Sequence, residues 1–185
     1  MAAAMAERPH QLSHLEHLGD ATGFATQIHA LIPKCALLEN FSAAEVRLLT
    51  QFMEVYRAEA GVEILREGDG GDFLVMLIEG RIEVTKRDQW NTPQPLASVD
   101  AGQTLGEMSM IDGEARFATC TAAEPTLVAA LGRESLARII VEQPMLGAKI
   151  LMELVLMLSH RLRATSERLV GMLDQRKPQG TEAVA

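Results

Sequence analysis

The chain has 185 residues, of which 48% are hydrophobic and 23% are charged, and its formal net charge is −8. This composition provides one domain of ordinary size with a packed core and leaves room for extensions. The acidic balance excludes the broad basic surface with which nucleic-acid-binding proteins neutralise phosphates. We therefore predict a globular protein that does not bind nucleic acid.

The sequence also lacks the usual signs of membrane insertion and metal binding. The most apolar run, residues 150–158, is interrupted by Glu153 and is too short to cross a bilayer. Residues 1–10 lack the apolar core of a signal peptide. Cys35 and Cys120 fit no zinc or disulfide spacing. These features predict a cytoplasmic protein with reduced thiols, no membrane partner, no bound metal and no cofactor.

The first predicted elements are helical. A weakly helical pattern runs from Gln11 to Leu31 and ends at Pro33, so residues 1–36 are expected to form a helical N-terminal extension. The main domain, predicted over residues 37–142, then begins with a short helix. Ser42 and Glu45 stand three residues apart ahead of an apolar run, which is the capping-box arrangement of a helix start.

From about residue 53 to residue 131 the apolar pattern changes to a period of two, which is typical of strands with one buried face. Glycines between these segments mark turns. The predicted fold class is therefore α+β, with an antiparallel β-roll similar to a jelly roll and with flanking helices. The alternating residues are Val62, Ile64, Phe73, Val75, Leu77, Ile82 and Val84, and the turn glycines are Gly61, Gly68, Gly71, Gly80 and Gly102.

A short helix is predicted over residues 134–143, and a long helix follows over residues 143–174, where Pro144 suits the first turn. Residues 175–185 are expected to form a disordered tail. At ~1.5 Å per residue the long helix extends roughly 45 Å, which is longer than the roll can cover. One apolar stripe is expected to pack on the roll and the other, a heptad seam, on a second copy in a parallel homodimer. The roll-facing stripe is Leu146, Ile150, Leu154 and Met157; the seam is Leu151, Val155, Leu158, Leu162, Thr165, Leu169 and Met172.

The segment from residue 105 to residue 119, LGEMSMIDGEARFAT, carries the candidate binding chemistry. It contains a glycine, an acidic residue, one helical turn over residues 108–111, a second turn and an arginine. Gly106 allows close approach of a ligand to the backbone, and Arg116 can donate paired hydrogen bonds to a phosphate. Glu107 can accept a hydrogen bond from a sugar hydroxyl. The pattern therefore suits a ligand with both a phosphate and a free ribose hydroxyl.

This segment resembles, without a gap, the phosphate-binding cassette of the cyclic-nucleotide-binding domain family. That family includes the catabolite activator protein and the regulatory subunit of cAMP-dependent kinase, and the resemblance covers about residues 37–174. It implies that Glu107 binds the ribose 2′-hydroxyl and Arg116 binds the cyclic phosphate. The residues that would complete the cradle around them are Gly106, Met108, Ala115, Phe117 and Ala118.

Two further segments carry the resemblance. Residues 161–167, RLRATSE, are similar to the central helix of the catabolite activator protein, where a Thr-Ser pair meets the adenine from both subunits of the dimer. This implies that Thr165 and Ser166 contact the base. Residues 72–84 resemble the family's central hairpin, in which Gly80 would make the turn. Because the chain ends eleven residues after Asp174 (185 − 174), we expect no helix-turn-helix output domain.

Two positions depart from the family pattern. Phe117 stands where the family usually has Ala or Ser, so a hydroxyl contact is lost and the ring must point away or crowd the pocket. Cyclic-GMP-selective members often have Thr there, so Phe117 favours cAMP over cGMP. Ala115 replaces the Pro that is common in the kinase subunits, which should loosen the turn without removing a polar contact.

The prediction is a cAMP-binding regulatory module that signals to an unknown partner protein and is not an enzyme. One alternative is the same fold with an empty or degenerate pocket, acting as a dimeric interaction protein in which Glu107 and Arg116 only close a turn. Thr165 and Ser166 could equally bond back to the preceding helical turn. A DNA-binding regulator is disfavoured, because residues 143–185 hold six basic residues against four acidic ones. Convergence of Glu107 and Arg116 on one cavity would favour ligand binding over the empty pocket.

Overall fold

The computed structural model describes residues 9–175. Within this range helix α1 spans Ala25–Ala30, α2 spans Ala43–Thr50, α3 spans Glu107–Asp112, α4 spans Arg133–Glu142 and α5 spans Pro144–Gln175. Strands β1 to β9 span Glu16–Asp20, Glu54–Ala58, Glu63–Leu65, Phe73–Glu79, Arg81–Arg87, Pro93–Asp100, Thr104–Leu105, Thr119–Ala122 and Thr126–Gly132. Short 3₁₀ turns lie at His10–Leu12, Ala21–Phe24, Ile32–Lys34 and Ala36–Leu38.

The strands form two antiparallel sheets. The first has the order β1-β2-β9-β4-β7 and the second has the order β3-β8-β5-β6. The helices pack on one face of the first sheet, and the second sheet covers the other face. This arrangement confirms the predicted antiparallel roll with flanking helices and a long C-terminal helix.

Strand β4 supplies residues to both halves of the core because its side chains alternate between the two faces of the sheet. Leu74, Met76 and Ile78 belong to the core between the first sheet and the helices. Phe73, Val75 and Leu77 belong to the core between the two sheets. A strand buried on both faces explains the continuous apolar sequence of residues 73–78.

The predicted hairpin around Gly80 is wrong. Strand β4 pairs with β9 and β7 in the first sheet, whereas β5 pairs with β8 and β6 in the second. Gly80, with φ of +92°, lets the chain cross from one sheet to the other. A Cβ atom there would lie 2.6 Å from Thr126 Oγ1 and 2.7 Å from the carbonyl oxygen of Pro125, so the crossing requires glycine.

The helical interpretation of residues 1–36 also needs correction. Residues Glu16–Asp20 form strand β1, which pairs with β2 along the edge of the first sheet. Leu12 and Leu15 pack between the two sheets, and Leu18 packs on the helix side. Their three-residue spacing suits a helix, but a strand edge with unpaired backbone groups was available and the segment pairs with it. The described part of this extension therefore belongs to the roll, and α1 is its one α-helix.

Helix α2 begins with the predicted capping box. Glu45 N–H donates to Ser42 Oγ over 3.3 Å, and Ser42 N–H donates to Glu45 Oε2 over 2.8 Å. Lys149 of α5 donates to both oxygens of the same carboxylate, at 2.8 and 2.9 Å. These contacts, led by the Lys149 hydrogen bond, lower the pKa of Glu45 to about 2. One carboxylate thus starts α2 and attaches α5 to it.

Glu45→Ala should lower the free energy of unfolding by about 1 kcal/mol, because it removes a helix cap and a partly exposed ion pair. Glu45→Gln, which can still cap the helix, should lower the free energy of unfolding by a smaller amount. The native pKa is depressed, so this stabilisation is present above the ordinary carboxyl pKa of ~4.3. It is lost as the pH falls toward about 2. Urea unfolding at pH 7 and pH 3 should show the difference from wild type shrinking; equal stability of the variant and wild type at pH 7 would contradict the assignment.

Helix α5 has two different halves. The stripe of Leu146, Ile150, Leu154 and Met157 is buried against the first sheet and the other helices, as predicted. Glu153 is buried in the same half, where its Oε1 accepts a 2.6 Å hydrogen bond from Asn40 Nδ2. From residue 161 to residue 173 every side chain is exposed. No helix within residues 9–175 is long and apolar enough to cross a membrane.

Candidate ligand-binding site

Glu107 and Arg116 line one cavity of about 140 Å³ between the two ends of the cassette segment. Gly106, Met108, Phe117 and Ala118 line it as well, so six of the nine candidate residues meet there. Ala115 is exposed next to Arg116 and is not part of the lining. The remaining lining residues are Leu65, Val84, Leu105, Ser109, Cys120 and Arg161.

The backbone of Arg116 is tied to the loop between β3 and β4. Its N–H donates to the carbonyl oxygen of Asp69 over 2.8 Å, and its own carbonyl accepts from Gly68 N–H over 2.9 Å. Within residues 9–175, the N–H groups of Phe117 and Ala118 donate to no protein acceptor. The chain thus holds Arg116 by its backbone and leaves neighbouring donors beside the cavity.

The side chain of Arg116 lies inside the protein, with only 4% of the residue exposed. Its guanidinium covers the Phe73 ring at 4.3 Å, and Nη1 donates to the carbonyl oxygen of Gly106 over 2.8 Å. Nη2 has no hydrogen-bond partner among the described residues. A Cβ atom at Gly71 or Gly106 would collide with this guanidinium, so both glycines make room for it. Burial lowers the pKa of Arg116, and the nearby Cys120, Asp72 and Asp69 oppose the shift.

Glu107 is the first residue of α3, directly after Gly106, whose φ is +81°. The residue is 1% exposed, and its carboxylate forms an ion pair with Arg161 of α5. Oε2 has no hydrogen-bond partner among the described residues. A buried carboxylate oxygen in this state can accept a hydrogen bond from a ligand, and leaving it unpaired costs free energy.

Arg161 is the site residue that the sequence analysis missed. Its Nη1 pairs with Glu107, and its Nη2 donates to the carbonyl oxygen of Thr104 over 2.8 Å. Burial lowers the pKa of Arg161, although 45% of its side chain remains exposed. The available signal was its position one helical turn before Thr165, which places the two on the same face of α5.

Thr165 and Ser166 bond back to their own helix. Thr165 Oγ1 donates to the carbonyl oxygen of Arg161 over 2.8 Å, and Ser166 Oγ donates to that of Leu162 over 2.9 Å. Thr165 lines a second cavity, of about 390 Å³, together with Leu158, Leu162, Ile111, Asp112, Met108 and Arg161. Met108 and Arg161 border both cavities, so the cassette cavity and the Thr165 cavity are neighbours.

Phe117 is one of the residues that line the cavity. Its ring is on the cavity rim, and 58% of the residue is exposed. The ammonium group of Lys86 lies 4.6 Å from the ring centroid.

The cavity is lined by cationic, anionic and apolar groups and does not carry a metal-binding set. Within residues 9–175, no group of three or more His, Cys, Asp or Glu side chains could hold a metal ion. Burial raises the pKa of the Cys120 thiol to about 12, although Arg116 opposes the shift, so this thiol is protonated at neutral pH. What the arrangement can do is bind an anion at Arg116 and a hydroxyl at Glu107.

The sequence pattern of the cyclic nucleotide-binding domain matches residues 55–143 of this chain. A solved structure of a cyclic nucleotide-binding domain from Methylobacillus flagellatus is 33% identical, with a TM-score of 0.80, and the match covers 96% of this chain and 99% of that one. The fold and the cassette thus define a cyclic nucleotide-binding domain. The chain belongs to the cyclic-nucleotide-binding domain family.

The curated relatives are larger proteins. A cGMP-dependent protein kinase of Eimeria tenella is 29% identical over 102 residues, which are 55% of this chain and 10% of the kinase. A cAMP-dependent protein kinase regulatory subunit of Aspergillus fumigatus is 28% identical over 111 residues, which are 60% of this chain and 26% of the subunit. The chain therefore spans between a tenth and about a quarter of the length of these two relatives.

Proposed function

We propose that this protein binds cAMP in the cassette cavity and acts as a cytoplasmic regulatory module that signals to a partner protein by binding rather than by catalysis. Arg116 holds the cyclic phosphate, and Glu107 accepts from the ribose 2′-hydroxyl. Backbone groups of Gly106, Met108, Phe117 and Ala118 surround the phosphate, and Ala115 belongs to the turn that presents Arg116. Thr165 and Ser166 of α5 approach the base. No cofactor beyond the nucleotide is required.

The observation that carries this proposal is that two buried side chains line one cavity, one with an unpaired hydrogen-bond donor and the other with an unpaired acceptor. Arg116 Nη2 lacks an acceptor, and Glu107 Oε2 lacks a donor, among the described residues. Each unsatisfied buried group costs about 1–3 kcal/mol, and more when it is charged. A cyclic nucleotide supplies an anionic oxygen and a hydroxyl donor on one rigid ring system, so one ligand satisfies both atoms.

The preference for cAMP over cGMP rests on Phe117, which has no hydroxyl to offer a guanine amino group. The named relatives include both a cGMP-dependent kinase and a cAMP-dependent regulatory subunit, so they leave this choice open. Calorimetric titration of the full chain with cAMP and with cGMP in matched salt tests it. We expect saturable heat with cAMP and weaker binding of cGMP.

The alternative, a dimeric interaction protein with an empty pocket, has two observations in its favour. Arg161 already forms an ion pair with Glu107. The cavity of about 140 Å³ is also smaller than the ~300–1,000 Å³ of most ligand pockets. Nucleotide binding then requires α5 to move Arg161 aside and join this cavity to the Thr165 cavity. Absence of heat with both nucleotides at millimolar concentration would favour the empty-pocket function.

We further propose a parallel homodimer through the second half of α5. Leu162, Leu169 and Met172 of the seam are exposed on this half of the helix. Exposed leucines at heptad spacing become buried when they pack against the same residues of a second helix, and this burial stabilises a dimer. The acidic chain would repel a second copy only weakly at physiological salt, where charges more than ~8 Å apart are screened.

Replacing both Leu162 and Leu169 with Lys should convert this dimer to monomers, because the lysines place like charges in an apolar seam. Both positions are exposed in the single chain, so its fold should persist. Glu167→Lys is the matched control, since it adds a lysine on the same helix outside the seam. Sedimentation equilibrium should find the wild type and the control dimeric; a monomeric wild type would reject the homodimer.

A further inference from the structure

Phe117 lies at the cavity rim, directly after the buried Arg116. Residues 116 and 117 lie in the irregular segment between α3 and β8, and residue 117 is at a bend of the chain. Arg116 is buried, with 4% of the residue exposed, whereas 58% of Phe117 is exposed. The backbone hydrogen bonds that Arg116 donates to Asp69 and accepts from Gly68 hold this segment in place. The exposed Phe117 ring is therefore part of the same segment as Arg116, the residue proposed to bind the phosphate.

The Phe117 ring also contacts Lys86, whose position is fixed by further hydrogen bonds. Lys86 of β5 places its ammonium group 4.6 Å from the ring centroid. Glu67 holds that ammonium group with a 2.6 Å hydrogen bond from Nζ to Oε1, and its second oxygen accepts from Arg87 N–H over 3.0 Å. The Glu67 backbone N–H in turn donates to Thr119 Oγ1 over 3.0 Å. These contacts link the ring to β5 and β8, so its orientation does not depend on the rim loop alone.

Phe117 lines the cavity, but the cation that contacts its ring does not. Phe117 lines the cassette cavity together with Val84, Met108 and Arg116, whereas Lys86 is outside that lining. The cation that contacts the Phe117 ring is therefore not one of the groups that line the cavity. An aromatic surface of this kind beside a phosphate-binding group suits a flat, π-bonded ligand group.

We infer that Phe117 is the base-stacking residue of this site and makes it selective for purine over pyrimidine cyclic nucleotides; this rests on the proposed function. The phosphate on Arg116 and the ribose on Glu107 leave the base to extend toward the rim. A purine offers a larger π-surface than a pyrimidine, so it gains more from the ring. Lys86 withdraws electron density from the ring, which favours stacking of the ring on an electron-rich purine.

The test compares cAMP with cyclic UMP, which keeps the ribose and the cyclic phosphate but carries a pyrimidine. Wild-type protein should bind cAMP more tightly than cyclic UMP in calorimetric titrations. Phe117→Ala should weaken cAMP binding by roughly 5- to 150-fold, as expected from the loss of base–aromatic stacking. It should change cyclic UMP binding much less. Phe117→Leu, which keeps apolar bulk without a π-surface, should lie closer to Ala than to wild type for cAMP.

Lys86→Met tests the support separately, because Lys86 lies outside the cavity. It should weaken cAMP binding by roughly 2- to 5-fold, the range of an exposed cation–π contact. Unchanged melting temperatures would show that the variants fold. If Phe117→Ala binds cAMP as tightly as wild type, or loses cAMP and cyclic UMP equally, the stacking role is overturned while cAMP binding stands. If the wild type binds neither nucleotide, the proposed function fails and the stacking role fails with it.

Discussion

Arg116→Ala should weaken cAMP binding by roughly 10- to 150-fold, the equivalent of one charge-assisted hydrogen-bonded contact worth about 1.5–3 kcal/mol. The guanidinium is buried, its Nη1 is engaged by Gly106, and Nη2 is the atom without a partner. A cyclic phosphate would accept a hydrogen bond from Nη2 of this buried guanidinium, where an ionic hydrogen bond is stronger than in water. Calorimetric titration with cAMP measures the loss directly.

The alanine variant also removes packing, since Arg116 covers the Phe73 ring and fills the space left by Gly71. Arg116→Lys keeps the charge but not the planar fork, so it should recover only part of the affinity. Arg81→Ala, on the exposed face of β5, makes the same change in net charge away from the cavity and should bind as wild type does. If Arg116→Ala and Arg81→Ala bind cAMP equally well, Arg116 does not hold the phosphate.

Arg161→Met should destabilise the fold by about 2 kcal/mol or more, because it leaves the buried Glu107 carboxylate without its counter-ion. Removing one partner of a fully buried pair costs about 3–5 kcal/mol, and the exposure of Arg161 reduces this. Glu107 is 1% exposed, so water cannot replace the lost guanidinium without opening the site. Methionine keeps much of the apolar stem, so the effect reports the charge more than the packing.

A double-mutant cycle separates the pair from its surroundings. Glu107→Gln removes the buried charge, so combining it with Arg161→Met should restore most of the lost stability. Arg163→Met, two residues further along α5 and exposed, is the matched control and should be near neutral. Urea titration gives the free energy of unfolding of all five proteins, which are the wild type, the three single variants and the double variant. Additive losses in the double variant would mean that the two side chains are not coupled.

Local features were predictable because short segments carry them. The Ser42–Glu45 capping box, the long α5 and the cassette turns that begin at Gly106 each depend on residues within a few positions of one another. The buried stripe of α5 was equally visible, since helical periodicity reports which face is apolar. These predictions needed only backbone preferences and the pattern of hydrophobic residues.

Features that failed or were missed depend on contacts between distant segments. The apolar run of residues 73–78 and the alternating residues after Gly80 fit both a hairpin and a chain that crosses between sheets, and only the pairing of β4 with β9 separates these two arrangements. Residues 16–20 form a strand because they pair with the free edge of β2, which is distant along the chain. A helical pattern of leucines could not reveal that edge, because a sheet edge exists only after the other strands have paired.

The amino-acid sequence by itself determined the roll with its flanking helices, the family, and the segment that brings Glu107 and Arg116 to one cavity. Those features depend on local periodicity, turn glycines and one continuous motif. Only the tertiary structure decided that Arg161 pairs with Glu107 from 54 positions away (161 − 107), and that Lys86 fixes the Phe117 ring. The physical reason is that ion pairs and ring contacts form between side chains whose backbones are positioned by separate elements, and such positions follow from packing rather than from spacing along the chain.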